Sequence, residues 1–500
     1  MFPAEFMQCA VQRLTVAALG VRVTLRLIGH RGLEGSLGHQ RAQTSRLRLF
    51  VEKGKLFIGD AEFTDDPFHA FADIEETTFD GGPRHGRHCT RGPLGFTGEN
   101  GPNPPTRYRS GQNASVSHHP IFTPEHQALR DTVRRYVTTE LKPHVDEWEA
   151  AGLFPDSVFP RCGELGFLGL HYPSAWGGSD GDLASSLLFI EELGRCGGGS
   201  IPMAIAVQTH MCTPALNEFG TDELKSRYLA PAITGEKIGA IALTEPDTGS
   251  DVASITTHAV RDADTWVING RKMFVTNGTR AHFMTMAIQT EPGSKHRGVS
   301  LFIVDTDLPG VSVSRKLDKL GMRASDTAEI VLDNVRVSAG NLLGGEPGNG
   351  FAQMAWQLQY ERLSGAAQSI GQALDALEQT IAYARERRAF GRALADNQVI
   401  AHQLADCATE LEAARALTYD TIWRVQQGEY PVVEISMAKK YAAQVQNRVV
   451  DTCLQVFGGA GYLTETPISR LWRDARLQRI GAGTDEIMNE VIAKRLGIRG

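Results

Sequence analysis

The segment Ala242-Leu243-Thr244-Glu245-Pro246-Asp247-Thr248-Gly249-Ser250-Asp251 stands where the chain changes its period. Upstream the spacing is helical. Thr123-Pro124-Glu125-His126 sets a capping residue before proline and an acid, and Leu129, Val133, Tyr136 and Val137 follow on one face. Leu187, Ile190 and Leu193 mark a second helical stretch and 224–233 a third, while Gly177-Gly178-Ser179-Asp180-Gly181 reads as a loop. Around Ile238 the period becomes two. The run 264–275 is β-branched and aromatic on both sides of Asn269-Gly270, which predicts a hairpin turning at that pair. The runs 298–304 and 330–337 read as further strands. After Gly350 helical spacing returns over 351–388, 395–427, 432–457 and 486–496, lengths that suit a helical bundle. At the joint, Gly249 and Ser250 can offer backbone N–H groups and a hydroxyl to an anion or carbonyl oxygen, although the segment alone is equally compatible with a structural turn.

Composition sets the outer limits. With 500 residues, 42% hydrophobic and 22% charged, the chain can bury a sizeable core in two to four domains. A net charge of -7 argues against nucleic acid or an anionic membrane as the main partner. No membrane span is expected, since the best apolar run, 14–28, is broken by Arg22 and Arg26. The 7 cysteines are scattered and lack any CxxC pair, which suits reduced thiols. No metal site is expected, because no HExxH or zinc spacing occurs.

Residues 1–118 differ from the rest. From Gly81 to His119 the chain is rich in Gly, Pro and Arg, the composition of a disordered linker. Residues 1–50 hold many arginines and few acids, which is compatible with a transit peptide and a mitochondrial matrix location. The preferred reading is an extension without function, ahead of a cytoplasmic, bacterial protein.

Two signatures carry a resemblance. The opening segment is similar to the first signature of the acyl-CoA dehydrogenases, departing at Thr248, where a smaller residue is more usual. Gln455-Val456-Phe457-Gly458-Gly459-Ala460-Gly461-Tyr462, continued through Glu465, Arg470 and Asp474, resembles the second. Tyr383-Ala384-Arg385-Glu386-Arg387-Arg388-Ala389-Phe390-Gly391 adds a third element; alone it would be a solvated helix end with a glycine stop. The resemblance covers about 119–500 and implies a mainly α fold with an inserted β domain. Its parts are an N-terminal helical domain over 119–237, a barrel-like middle domain over 238–345 and a C-terminal bundle over 346–500.

The resemblance further implies FAD, an acyl-CoA substrate, an electron-transfer flavoprotein as electron acceptor, and a homotetramer or homodimer. Carried over by position, Thr244, Gly249 and Ser250 contact the flavin and its phosphates, and Phe274 and Thr276 border its ring, where tryptophan is commoner at the first. Without the motif, Phe274 is as readily a core strand residue. Arg387, Phe390, Gln398, Gln455 and Gly459 face the adenosine half bound mainly to a neighbouring subunit, and Thr484 and Glu486 lie near the pyrophosphate or ribose. Ser250, Tyr360, Arg362, Gly481 and Ala482 border the substrate.

The chemistry needs a base for the α-proton of the thioester, donors for the developing enolate oxygen, and a flavin to take the β-hydride. Arg479-Ile480-Gly481-Ala482-Gly483-Thr484-Asp485-Glu486-Ile487 resembles the place where many members keep a catalytic glutamate, but Ala482 stands there. It still offers its N–H. Leu358-Gln359-Tyr360-Glu361-Arg362-Leu363 resembles the Glu-Arg pair of the long-chain and isovaleryl branches, which makes Glu361 the expected base. On an anonymous helix, its neighbours Gln357, Leu358, Ser364 and Gly365 would describe a solvated face. Arg362 reads as a helper or as the partner of a surface acid. Two alternatives remain: an oxygen-using oxidase or monooxygenase of the same fold, separated by reoxidation in air, and a non-catalytic DNA-binding flavoprotein, separated by flavin bleaching with acyl-CoA.

Overall fold

The computed structural model describes residues 119–499 and, in a separate N-terminal unit, four short strands. Those strands form two antiparallel pairs, Leu14–Val16 with Val21–Val23 and Arg48–Glu52 with Lys55–Gly59. The reading of 1–118 as extension and linker had anticipated no such pairs. The remainder of that segment, including the expected linker up to 118, lies outside the described residues.

The first helix, Pro124–Tyr136, begins as its sequence dictates. Thr123 accepts the N–H of His126 at 3.4 Å, and the His126 side chain returns the bond to the Thr123 backbone at 3.2 Å. Helix Leu183–Leu193 is apolar nearly all round and almost wholly buried. It lies close against the long C-terminal helix Gly350–Glu386, where Gly371 makes the approach possible. A Cβ there would stand 1.9 Å from the Glu191 carbonyl oxygen. On helix Gln398–Gln426, Arg415 at 2.8 Å and the Tyr419 hydroxyl at 2.7 Å donate to the Glu191 carboxylate, so this buried charge is compensated. The expected helix 224–233 is a helical run whose centre, Lys225–Leu229, is a π turn.

The middle domain is a seven-stranded sheet. In spatial order it runs Val311–Lys316, Thr327–Ser338, Thr265–Thr276, His258–Asp262, Phe283–Gln289 and Gly239–Ala242, with Val299–Asp305 also paired to Phe283–Gln289. Phe283–Gln289 and Val299–Asp305 are buried along their whole length, whereas edge strand Val311–Lys316 is exposed and ends in Arg315 and Lys316. The Asn269-Gly270 hairpin is corrected: Thr265–Thr276 is one strand that runs straight through the pair. The chain turns earlier instead, at Ala263, with Asp262 opposite Thr265. Gly270 serves close approach, because a Cβ there would meet the Thr257 hydroxyl at 2.4 Å.

Helices Gly350–Glu386, Gln398–Gln426 and Val432–Phe457 form the bundle, closed by Pro467–Ala475 and Asp485–Arg495. The three domains meet at Asp474, whose carboxylate accepts the N–H of Gly199 at 2.7 Å and of Met322 at 2.5 Å. Among the described residues the five cysteines are free and buried, no cluster has metal-binding character, and no helix is long and apolar enough to cross a membrane.

Candidate active site

Strand Gly239–Ala242 delivers the chain into the loop that carries Thr244, Gly249 and Ser250. The loop is held from beneath. Glu245 and Thr248 exchange backbone bonds, and the buried Glu245 carboxylate accepts Lys272 at 2.8 Å and the N–H groups of Thr256 and Thr257 at 2.6 and 3.0 Å. Burial opposes the Glu245 charge, but Lys272 and the threonine donors outweigh it and hold the carboxyl at about 2. Lys272 also reaches the Leu243 carbonyl at 3.1 Å, and the Met273 N–H donates to Thr244 at 2.8 Å. Above this base Gly249 and Ser250 are exposed, and the space beside Gly249 is open.

Phe274, on the same strand, is 66% exposed and has φ of 60°. A bulky residue in that region is strained, and such strain collects at functional positions. Thr276 is half-buried next to it.

The second group lies in the C-terminal domain. Helix Gly350–Glu386 carries Tyr360, Glu361 and Arg362. Gln357, Ser364 and Gly365 on the Glu361 face are buried and Leu358 is half-buried, so this face packs largely against the protein. The Glu361 residue is itself half-exposed, yet its Oε2 is closed off from solvent and has no hydrogen-bond partner. Burial raises its carboxyl to about 7, with Arg362 and Lys439 opposing. Arg362 is buried, and among the described residues no ion pair ties it to a surface acid. Its guanidinium reaches the Gln359 oxygen and the Ala482 carbonyl, both at 3.4 Å.

Ala482 has φ of 57° and Gly483 of 92°, two successive left-handed residues in the loop between Arg476–Arg479 and helix Asp485–Arg495. Gly481 anchors the loop start by donating to the Leu477 carbonyl at 2.9 Å. Thr484 caps the helix by accepting the Ile487 N–H at 3.3 Å, and Glu486 is exposed in its first turn. Tyr360 is half-buried against the Trp356 ring, 4.9 Å between centroids.

A third set stands apart. Arg387 ends the long helix, and Phe390, fully exposed with φ of 51°, tips the small hairpin that follows. Gln398 opens the next helix; Gln455 and Gly459 end Val432–Phe457 and begin the turn after it. Tyr383 stacked on Phe457 at 4.2 Å joins the two ends. Arg387 lies roughly 26 residues, or ~39 Å of helix, beyond Glu361. Within one chain Arg387 is therefore not brought to Glu361. A cleft of about 390 Å³ lined by Tyr136, Glu140, His144, Trp148 and Arg161 contains none of these residues.

The arrangement supplies a desolvated carboxyl near neutrality, two cations that act on it, and a loop fixed at the carbonyls of Ala482 and Gly483. Exposed Phe274 and open Gly249 in the first group suit a flat heteroaromatic ring and a phosphate, and in the second the capped helix start at Thr484 suits a phosphate. Three residues were not anticipated from sequence: Lys272 and Glu245 beneath the loop, and Lys439, which donates to the Gly483 carbonyl at 2.5 Å. Lys439 had a signal, since it falls on the apolar stripe of Ile435, Ala438, Ala442 and Ala443, where a solvated lysine does not belong.

Sequence models of the acyl-CoA dehydrogenase N-terminal, middle and C-terminal domains match residues 123–236, 240–335 and 348–497. A probable acyl-CoA dehydrogenase, YngJ, from Bacillus subtilis is 38% identical over 379 residues, 75% of this chain and 98% of the relative. The crystal structure of a probable acyl-CoA dehydrogenase from Mycobacterium abscessus is 43% identical with a TM-score of 0.73, covering 75% of this chain and 99% of that one. A glutaryl-CoA dehydrogenase from Mycobacterium smegmatis, solved in complex with FADH2, is 30% identical with a TM-score of 0.71, covering 76% and 96%. The fold, the order of its three domains and these matches lead to one conclusion: the chain belongs to the acyl-CoA dehydrogenase family of FAD-dependent oxidoreductases.

Proposed function

We propose that this protein dehydrogenates a fatty acyl-CoA thioester to the trans-2-enoyl-CoA, with Glu361 removing the α-proton. The observation that carries the reading is the Glu361 carboxyl: its Oε2 is sealed from water, unpaired, and raised by burial to about 7. A base poised near the working pH combines a useful ionised fraction with a strong drive to take the proton. Bound FAD supplies the acceptor for the β-hydride.

Each remaining part has a role in the chain itself. Glu361 holds the abstracted proton on a carboxyl oxygen. Arg362 fixes the Ala482 carbonyl, which turns the neighbouring N–H groups of the loop toward the thioester oxygen, where negative charge develops. Ala482 thus acts through its backbone, while Tyr360 and Gly481 border the acyl group. Thr244, Gly249, Ser250, Phe274 and Thr276 hold the flavin ring and its phosphates, with Thr484 and Glu486 beside them.

The distance from Glu361 to Arg387, ~39 Å along one helix, supports a homo-oligomer in which a second copy supplies Arg387, Phe390, Gln398, Gln455 and Gly459 to the adenosine half. An electron-transfer flavoprotein is the proposed electron acceptor. The test is anaerobic mixing of the yellow holoprotein with butyryl-, octanoyl- and palmitoyl-CoA. Bleaching of the flavin with formation of the 2-enoyl product is expected for at least one, and slow reoxidation in air; no bleaching by any acyl-CoA contradicts the reading, and rapid reoxidation by air turns it into an oxidase.

A further inference from the structure

Lys439 is a buried cation that the reaction outlined above does not use. Only 2% exposed, it projects from helix Val432–Phe457 toward the loop after Arg479. Burying an ammonium is costly unless its charge is answered. Its direct bond, at 2.5 Å, goes to a neutral carbonyl, that of Gly483. A neutral amide would satisfy that oxygen equally well. Asp485, the acid that acts on it most, takes Arg479 at 2.7 Å and Gln444 at 3.1 Å, both on Oδ2. Among the described residues, two carboxyl oxygens of the acids that face Lys439 are buried without a hydrogen-bond partner, Asp485 Oδ1 and Glu361 Oε2, and Glu361 lies next to Arg362, which holds the same loop at Ala482.

The charged groups that face Lys439 are Asp485, Arg362, Glu361 and Glu486; those that face Glu361 are Arg362 and Lys439. We propose that Lys439 is a positioning residue of the active site: it pins the left-handed pair Ala482-Gly483 through the Gly483 carbonyl, and its charge supports the ionised form of Glu361. This rests on the reading of Glu361 as the base. Burial pushes the Lys439 ammonium down to about 8, with Asp485 resisting most, so it is charged where Glu361 must ionise, at about 7. One cation thereby serves two elements. It orders the loop that offers N–H groups to the thioester, and it limits the rise that burial forces on the base.

The test follows flavin reduction of the holoprotein by whichever of butyryl-, octanoyl- and palmitoyl-CoA reacts, from about pH 5.5 to about 9. In Lys439→Met the acid limb of the rate should move to higher pH by about one unit, the size expected when one nearby opposite charge is lost. Lys439→Gln keeps a donor for Gly483 and should show the same shift, and it serves if the methionine variant does not fold. Lys439→Arg should restore the wild-type limb. A second readout needs no turnover: the infrared carboxylic-acid band that disappears in Glu361→Gln should titrate at higher pH in the neutral Lys439 variants. A limb and a band that stay in place while the rate falls evenly at all pH values overturn the proposal and leave Lys439 a packing residue. Failure of the base reading looks different, because Glu361→Gln would then reduce flavin at the wild-type rate with Lys439 intact.

Discussion

Arg362 Nε donates to the main-chain oxygen of Ala482 at 3.4 Å, so the residue that follows the proposed base holds the loop of Ala482 and Gly483. The helix of the proposed base and the loop at 482 are therefore mechanically joined. With Glu361 as the proposed base, Ala482 is left with a backbone role only.

Replacing Arg362 should separate its two contributions. Arg362→Lys keeps a charge beside Glu361 but cannot span Gln359 and Ala482 with one planar group, so flavin reduction should fall about tenfold or more through lost positioning. Its acid limb should stay in place. Arg362→Met should lose rate and also move the limb upward, since a cation opposing the rise of Glu361 is gone. Stopped-flow flavin reduction against pH distinguishes the two.

Phe274 predicts an exchange of stability for cofactor. Its φ of 60° is unfavourable for any residue with a Cβ. Phe274→Gly should relieve on the order of 1 kcal/mol of backbone strain and raise the melting temperature of the flavin-free protein. The same variant should retain FAD less well, since the exposed ring is lost. Thermal unfolding of apo and holo forms checks both signs.

Glu245→Gln would leave the Lys272 ammonium buried without its partner. Breaking such a pair on one side costs about 3–5 kcal/mol, and the loop bearing Ser250 should loosen with it. Denaturant unfolding together with flavin content after gel filtration measures the effect. The pH sign follows from the depressed carboxyl: the stabilisation is complete above the ordinary carboxylate range and is lost progressively as pH falls from 4.5 through about 2.

Glu361 has the opposite sign. Its folded-state carboxyl is raised to about 7 from 4.5, so between those values the folded protein binds more protons than the unfolded chain. Stability should fall as pH rises through this window and level off above it. Glu361→Gln should flatten that decline and make the protein more stable than wild type above about pH 7. Chemical denaturation at several pH values reads this directly.

What could be read in the sequence followed what local chemistry decides. Helix Val432–Phe457 has the bounds its spacing predicts, and Thr123 caps its helix. The Asn269-Gly270 pair misled because the same dipeptide serves a turn and a close approach, and only the position of Thr257 separates them. The proposal of Glu361 as base starts from Glu361-Arg362 and the alanine at 482, and the structure adds a carboxyl oxygen closed off from solvent. Lys439 and the Glu245–Lys272 pair were not, because a lysine's burial depends on elements far away in the chain: Gly483 for one, Glu245 for the other. The separation of Arg387 from Glu361 likewise appears only once 350–386 is known to be one unbroken helix.

The most direct test of the account is single-turnover flavin reduction by Glu361→Gln under anaerobic conditions with the best acyl-CoA. Glutamine keeps the size of the side chain and removes its ability to take a proton. The rate should fall by at least ~10²–10⁴, the usual contribution of a positioned general base, with FAD content and acyl-CoA binding nearly unchanged. Reduction at close to the wild-type rate would contradict the assignment and require another proton acceptor.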